Sequence, residues 1–345
     1  MVELLTRGVY NKLLGIVFFY LLIGVGDATR KGVVGPTCGP WSHSGRRLSA
    51  IVDEPKVLLN YYYGPLLSGS EPIPVYIIWY GNFSNSQRAI VQDFLASFNT
   101  SPSAYDRAIY PTVQGWWNMT AGYVDANGVG IASLVSLAGE LDNPYSMGRS
   151  LSEYDIQKLV LDSIRRQIFP AKYSATYFVL TSADVEVDSF CTSACGSHYS
   201  TYPSRITRGQ QLPYAWVGNS GTQCPGMCTW PYAQSAYGPP LVLLSPNGDV
   251  GMDGLIVNLA SLLAAMATNP YNTGYYEGDA LAPLESATAC AGIYGPNASP
   301  GQPGLLFVDP YTNASFNAVG ITGREFLLPS IWIPSNQTCN PPPYY

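Results

Sequence analysis

The chain has 345 residues, of which 12% are charged, with 17 Lys and Arg against 23 Asp and Glu for a net charge of −6. Arg7, Lys12, Arg30, Lys31, Arg46 and Arg47 all precede position 48, so the rest of the chain is more acidic still. That balance excludes a nucleic-acid partner, because phosphate binding needs a basic face.

Residues 1–28 read as a targeting signal. Arg7 and Lys12 precede the apolar run Leu13–Val25, and Gly24, Gly26 and Ala28 offer small residues for cleavage. The run is shorter than a membrane span, so the expectation is a secreted protein with no membrane attachment once the signal is removed. Residues 29–56, with Cys38 and His43, lack periodicity and are expected to be disordered or processed. A single domain is expected over 57–340, followed by a tail at 341–345.

Within the domain, VLLNYYYG and PVYIIWYGNF read as adjacent strands ending in glycine turns. A helix follows, capped by Ser84 or Ser86, with Ile90, Val91, Phe94, Leu95 and Phe98 as its buried stripe. PTVQGWWNMTAGY and GVGIASLVSLAGELD are assigned to further strands. Ser152 and Asp155 form a capping box for a second helix with Ile156, Leu159, Val160, Ile164 and Ile168 inside, and ATYFVLTSADV is the next strand. From Val187 to Pro246 the chain turns rich in Cys, Gly, Pro and Tyr and reads as loops held by disulfides. A buried helix then runs from Asp253 to Asn269-Pro270, followed by loops and short strands. The expected fold class is α/β: one domain with a mixed sheet, flanking helices and disulfide-stapled loops.

Cys191, Cys195, Cys224, Cys228, Cys290 and Cys339 form an even set that allows three disulfides in fifteen connectivities, with a four-cysteine zinc site as the competing use of the two C-x3-C pairs. Asn82, Asn99, Asn118, Asn297, Asn313 and Asn336 are N-glycosylation acceptors by motif. The 26 tyrosines and 7 tryptophans have two readings: exposed rings stack on sugars, and buried rings pack with their polar tips hydrogen-bonded. The packing use is the expectation.

No catalytic motif emerges. Outside the segment 29–56, His198 is the only histidine, too few for a typical zinc site, and GNSGT at 218–222 lacks the second glycine of a nucleophile elbow. Glu277 and Asp279 are the weak candidates for acid and base in an extracellular hydrolase, and His198 is a further weak site candidate. No metal and no cofactor are expected.

The blocks TSADVEVDSFCTSACGSH, YAWVGNSGTQCPGMCTWP, PNGDVGMDGLIVNLASLLAAMATNPYNTGYYEG, APLESATACAGIYG and GREFLLPSIWIPSNQTC resemble the plant EXORDIUM family, also called phosphate-induced protein 1, from about Val57 to Cys339. The resemblance implies an apoplastic, cell-wall protein linked to brassinosteroid-promoted cell expansion and to carbon status. It implies a wall polysaccharide or an apoplastic protein as partner. Distantly similar bacterial secreted proteins carry a zincin-like helix S-H-E-L-A-E-A-x-T-D-P. Laying T-D-P on Thr268, Asn269 and Pro270 puts the metal-binding His at Ser261, the catalytic Glu at Leu262 and the next acidic ligand at Ala265. This implies a metallopeptidase-like scaffold whose metal site is degenerate.

Overall fold

A computed structural model describes residues 57–99, 109–235, 239–280 and 282–343, together with the backbone of Arg30–Val34. The targeting segment, Cys38, His43 and the last two residues lie outside the described residues.

Strand β1 is Arg30–Val34, which falls in the segment expected to be disordered or processed. The short strand β2 (Asn60–Tyr61) precedes β3 (Ile73–Tyr80) and helix α1 (Asn85–Ala96). Ser84 caps α1 in a reciprocal box with Gln87, and Ile90, Val91, Phe94 and Leu95 are buried as their spacing requires. Helix α2 (Val113–Asn118) replaces an expected strand: Thr112 caps it by accepting from the Gly115 amide, and Trp116 and Trp117 are buried. Then come β4 (Val135–Asn143), β5 (Ser150–Leu151) and α3 (Glu153–Arg165), the last capped by Ser152 and Asp155 as expected. Helix α3 ends before Ile168, which is exposed rather than inside.

Strands β6 (Thr176–Thr181), β7 (Glu186–Val187), β8 (Gly196–Ser200) and β9 (Pro213–Gly218) follow. The stretch read as disulfide-held loops thus supplies two strands of the central sheet. That sheet runs β1-β8-β9-β6-β3-β4, parallel among β4, β3, β6 and β9 and antiparallel at β8 and β1. Every residue of β6, β8 and β9 is buried, which identifies a sheet covered on both faces.

Helix α4 (Pro225–Cys228) leads to α5 (Val250–Thr268), which packs on β8, β9, α1 and α4. Helix α5 is long and apolar enough to cross a membrane by length and composition, yet it is buried from Gly251 to Thr268 as a core helix. The helix starts before the expected Asp253, with Asp249 as its N-cap accepting from the Met252 amide. Gly254 lets α4 approach, because a Cβ there would lie 2.6 Å from Thr229 Cγ2 and 2.9 Å from the Cys228 carbonyl. Strand β10 (Tyr275–Tyr276) pairs with β2, and only short pairs follow.

The disulfides are Cys191–Cys224, Cys195–Cys228 and Cys290–Cys339. The four-cysteine zinc alternative is thereby overturned. The first two pairs tie the turn before β8 to α4, so α5 meets a braced edge of the sheet.

Candidate functional site

In a doubly wound sheet the usual ligand crevice lies beyond the carboxyl ends of the parallel strands. Here hydrogen bonds and ion pairs tie that edge together. Gly81, with φ +100°, follows β3 so closely against β6 that a Cβ would sit 1.9 Å from Ser182 Oγ. Ser182 Oγ and Tyr145 OH both donate to Asp184, which also pairs with Arg149 at 2.8 Å. Gln87 Nε2 donates to Asp249 at 2.9 Å, joining the starts of α1 and α5.

His198 is also enclosed. Its Nε2 lies 3.0 and 2.9 Å from Glu285 Oε1 and Oε2, both side chains are fully buried, and Asn269 Nδ2 donates to Glu285 at 2.7 Å. The Asn269 Oδ1 accepts from the Gly274 amide, so this network fastens β8 to the end of α5 and the turn after it. Without a route to solvent it positions chain segments rather than substrate.

Ser261, Leu262 and Ala265 are buried core positions: Ser261 Oγ donates to the Val257 carbonyl, and Leu262 packs against Gly196 of β8. Among the described residues no group of three His, Cys, Asp or Glu could hold a metal. The zincin-like likeness therefore gains no support from the fold. Glu277 is half-buried and Asp279 exposed. The Glu277 carboxylate accepts from the Leu58 amide at 2.6 Å, so it clamps the start of the domain.

The strongest carboxyl pairing lies elsewhere, in a depression of about 330 Å³ lined by Asn247, Asp309, Thr312, Arg324 and Glu325. Burial first, and then the Asp309 carboxylate beside it, push Glu325 up to about 7. Asp309 is held low by the Thr312 and Tyr311 amides that donate to it at 2.7 and 2.9 Å. Beneath, burial raises Asp253 to about 7 against donors from Asn247, whose Oδ1 accepts from Arg324.

A second surface has neutral chemistry. Across the β2–β10 pair, Tyr61 stacks on Tyr275 with centroids 4.5 Å apart and Tyr62 on Tyr276 at 4.2 Å. Tyr123 meets Tyr275 edge-on at 4.9 Å, anchoring the stack in the core. Tyr63 tilts against Tyr61 with centroids 5.1 Å apart, and Tyr62 and Tyr63 are 47% and 79% exposed, so part of each ring meets solvent. Tyr63 has φ 62°, a left-handed conformation costly for a bulky side chain, of order 1–2 kcal/mol. Gly64 is obligatory beside it, because a Cβ would meet Thr273 Oγ1 at 1.9 Å and its carbonyl at 2.5 Å.

These segments continue into a groove of about 380 Å³ lined by Pro65, Tyr173, Gln210, Gln211, Tyr271 and Thr273. Tyr271 OH donates to the Tyr173 carbonyl at 2.9 Å, and Gln210 Oε1 accepts from the Tyr173 amide at 2.8 Å. Burial raises the Tyr271 phenol above its ordinary value, and burial does the same for Tyr61, Tyr275 and Tyr276, so the rings stay neutral. Among the described residues no carboxylate or histidine lines the groove. Planar rings, phenols and amides there can bind an uncharged polar ligand but cannot transfer protons to it at ordinary pH.

Sequence reasoning named neither Tyr173, Tyr271, Gln210 and Gln211 nor the Asp309–Glu325 pair as a site. The one usable signal was the Tyr61-Tyr62-Tyr63-Gly64 run with Tyr275-Tyr276. The six acceptor asparagines are all exposed, although Asn99 also exchanges hydrogen bonds with the Val135 backbone.

No solved structure matches the chain. Residues 59–342 match the family model described as the phosphate-induced protein 1 conserved region. Protein PHOSPHATE-INDUCED 1 of Nicotiana tabacum is 47% identical over 305 residues, covering 86% of this chain and 92% of that protein. Protein EXORDIUM of Arabidopsis thaliana is 44% identical over 308 residues, covering 87% and 94%, and Protein EXORDIUM-like 1 is 44% identical over 287, covering 81% and 89%. On these matches the chain belongs to the phosphate-induced protein 1 family, which includes the EXORDIUM proteins.

Proposed function

We propose that this chain is a secreted glycoprotein of the apoplast and cell wall that promotes cell expansion by binding, and that its ligand is a wall polysaccharide held on the tyrosine groove. The observation that carries this reading is the pair of exposed rings, Tyr62 and Tyr63, on the segment that continues at Pro65 into a depression lined by tyrosines and glutamines. Ring faces match the C–H faces of sugars, and amides match their hydroxyls. Three disulfides and six exposed acceptor asparagines support the oxidising secretory route. Family membership supports the growth role, with brassinosteroid and carbon status as its inputs.

Titration of the purified chain with wall oligosaccharides tests it. Tyr63→Ala and Tyr173→Ala each lower affinity about tenfold or more, as expected for loss of a stacked ring worth 1–3 kcal/mol. Affinities equal to that of the unaltered chain would sink the groove as the site.

A hydrolase is the second reading, and the Asp309–Glu325 pair favours it over Glu277 and Asp279, because a protonated and an ionised carboxyl share one depression. Release of new reducing ends by the unaltered chain, abolished in Glu325→Gln, decides for catalysis.

A further inference from the structure

The cations of this acidic chain are unevenly placed. Past Arg208 there is one more basic residue, Arg324, and it is paired with Asp93 at 2.7 Å. Arg88 and Arg149 are likewise paired, with Asp142 and Asp184. By contrast Arg165, Arg166, Lys172, Arg205 and Arg208 fall in two short segments that meet at one place. Arg165, Arg205 and Arg208 line a depression of about 600 Å³ whose exposed apolar lining is Ile168, Pro170 and Ile206. Arg165 keeps an exposed pairing with Asp162 at 2.9 Å, while Arg205 and Arg208 have no ion pair among the described residues.

The two free arginines are held in a fixed turn. The Ser204 amide donates to Thr207 Oγ1 at 2.8 Å, the Thr207 amide donates to Ser204 Oγ at 3.2 Å, and Thr207 itself is buried. The Gln210 amide closes the next turn onto the Thr207 carbonyl. Two guanidinium groups thus rise from a braced loop beside an apolar lining. In a chain of net negative charge, unpaired cations over an apolar surface serve an anionic ligand with an apolar face.

This depression and the tyrosine groove are lined by neighbouring stretches of the same two segments. Pro170, Ala171, Arg205, Ile206 and Arg208 border the one, and Tyr173, Gln210 and Gln211 border the other. We propose that the arginine depression continues the groove as a subsite for the carboxylates of a uronate-bearing polysaccharide, so that the chain selects acidic over neutral wall polymers. This selectivity rests on the polysaccharide reading given above. Planar guanidinium forks match carboxylates in two hydrogen bonds each, and the sugar ring between carboxylates needs the kind of apolar contact that the exposed Ile168, Pro170 and Ile206 supply.

The test uses the full chain, an oligogalacturonate and a neutral β-glucan oligomer of equal length, titrated at low salt and at about 0.5 M NaCl, where surface charge is screened. The expected result is at least about tenfold tighter binding of the uronate, erased by salt and by the double substitution Arg205→Gln with Arg208→Gln, with neutral-oligomer affinity unchanged. Both arginines are exposed, so an unaltered thermal midpoint will confirm that the variant folds. A preference that survives the double substitution overturns the proposal, as does equal binding of the two oligomers. Full displacement of the uronate by an equal concentration of inorganic phosphate also overturns it, by identifying a small-anion site. If Tyr63→Ala and Tyr173→Ala bind normally while the arginine variant loses the uronate, the groove reading falls and the arginine site stands. Tyrosine-dependent binding without charge preference has the opposite meaning, and binding of neither oligomer removes both.

Discussion

The network at the end of α5 and the tyrosine ridge at β2–β10 lie on either side of Asn269–Gly274, yet they use polar side chains in opposite ways. His198, Glu285 and Asn269 are residue types associated with chemistry, and here they are sealed and hydrogen-bonded to one another. Tyr62 and Tyr63 are types associated with cores, and here they face solvent, one of them in a strained backbone conformation. Residue type therefore misassigns both regions. What separates them is access, because a ligand can reach only what the fold leaves uncovered.

The sharpest way to break this contrast is Glu285→Ala. It leaves a buried imidazole and the Asn269 amide without their partner, so unfolding free energy should fall by about 3–5 kcal/mol. A shift below about 1 kcal/mol in denaturant titration, where ordinary surface changes fall, shows that the network does not hold the fold.

The pH dependence comes next. Asp253 and Glu325, both raised to about 7, bind protons more tightly in the folded than in the unfolded chain. The native state therefore holds more protons between about pH 4 and 7, and stability present below that window is lost as pH rises through it. Asp253 sets the scale at up to about 4 kcal/mol, with Glu325, half-exposed, adding less. Asp253→Asn should flatten the profile of thermal midpoint against pH, and an unchanged slope assigns the dependence to other groups.

A smaller effect is expected at Gly64. A Cβ there meets the Thr273 backbone, so Gly64→Ala should cost about 1–3 kcal/mol and distort the ridge, lowering oligosaccharide affinity along with stability. The smallest stability change separates the two readings of Tyr63. Tyr63→Gly relieves the left-handed strain and should unfold within about 1 kcal/mol of the unaltered chain while binding weakens. Destabilisation beyond about 2 kcal/mol shows instead that the ring contributes to the core.

Much of the scaffold was legible in the sequence because its signals are local. Ser84 with Gln87 and Ser152 with Asp155 cap α1 and α3, and the uncharged run of α5 requires burial by itself. Two local readings failed where tertiary packing prevailed. Val113–Asn118 is helical because its tryptophans are buried and Thr112 caps it, and β8 and β9, inside the stretch Val187–Pro246 read as loops, form sheet because disulfides and α5 hold them there.

By itself the sequence determined the family, the cysteine set, the acidic balance and the two capped helices, each of which depends on neighbours in the chain or on composition. The tertiary structure decided disulfide pairing, the sealing of His198 against Glu285 across 87 positions, and the meeting of 60–65 with 271–276, 173 and 210–211. Access to solvent is a property of the packed whole. Only there does a tyrosine run come to lie beside a groove built from distant segments.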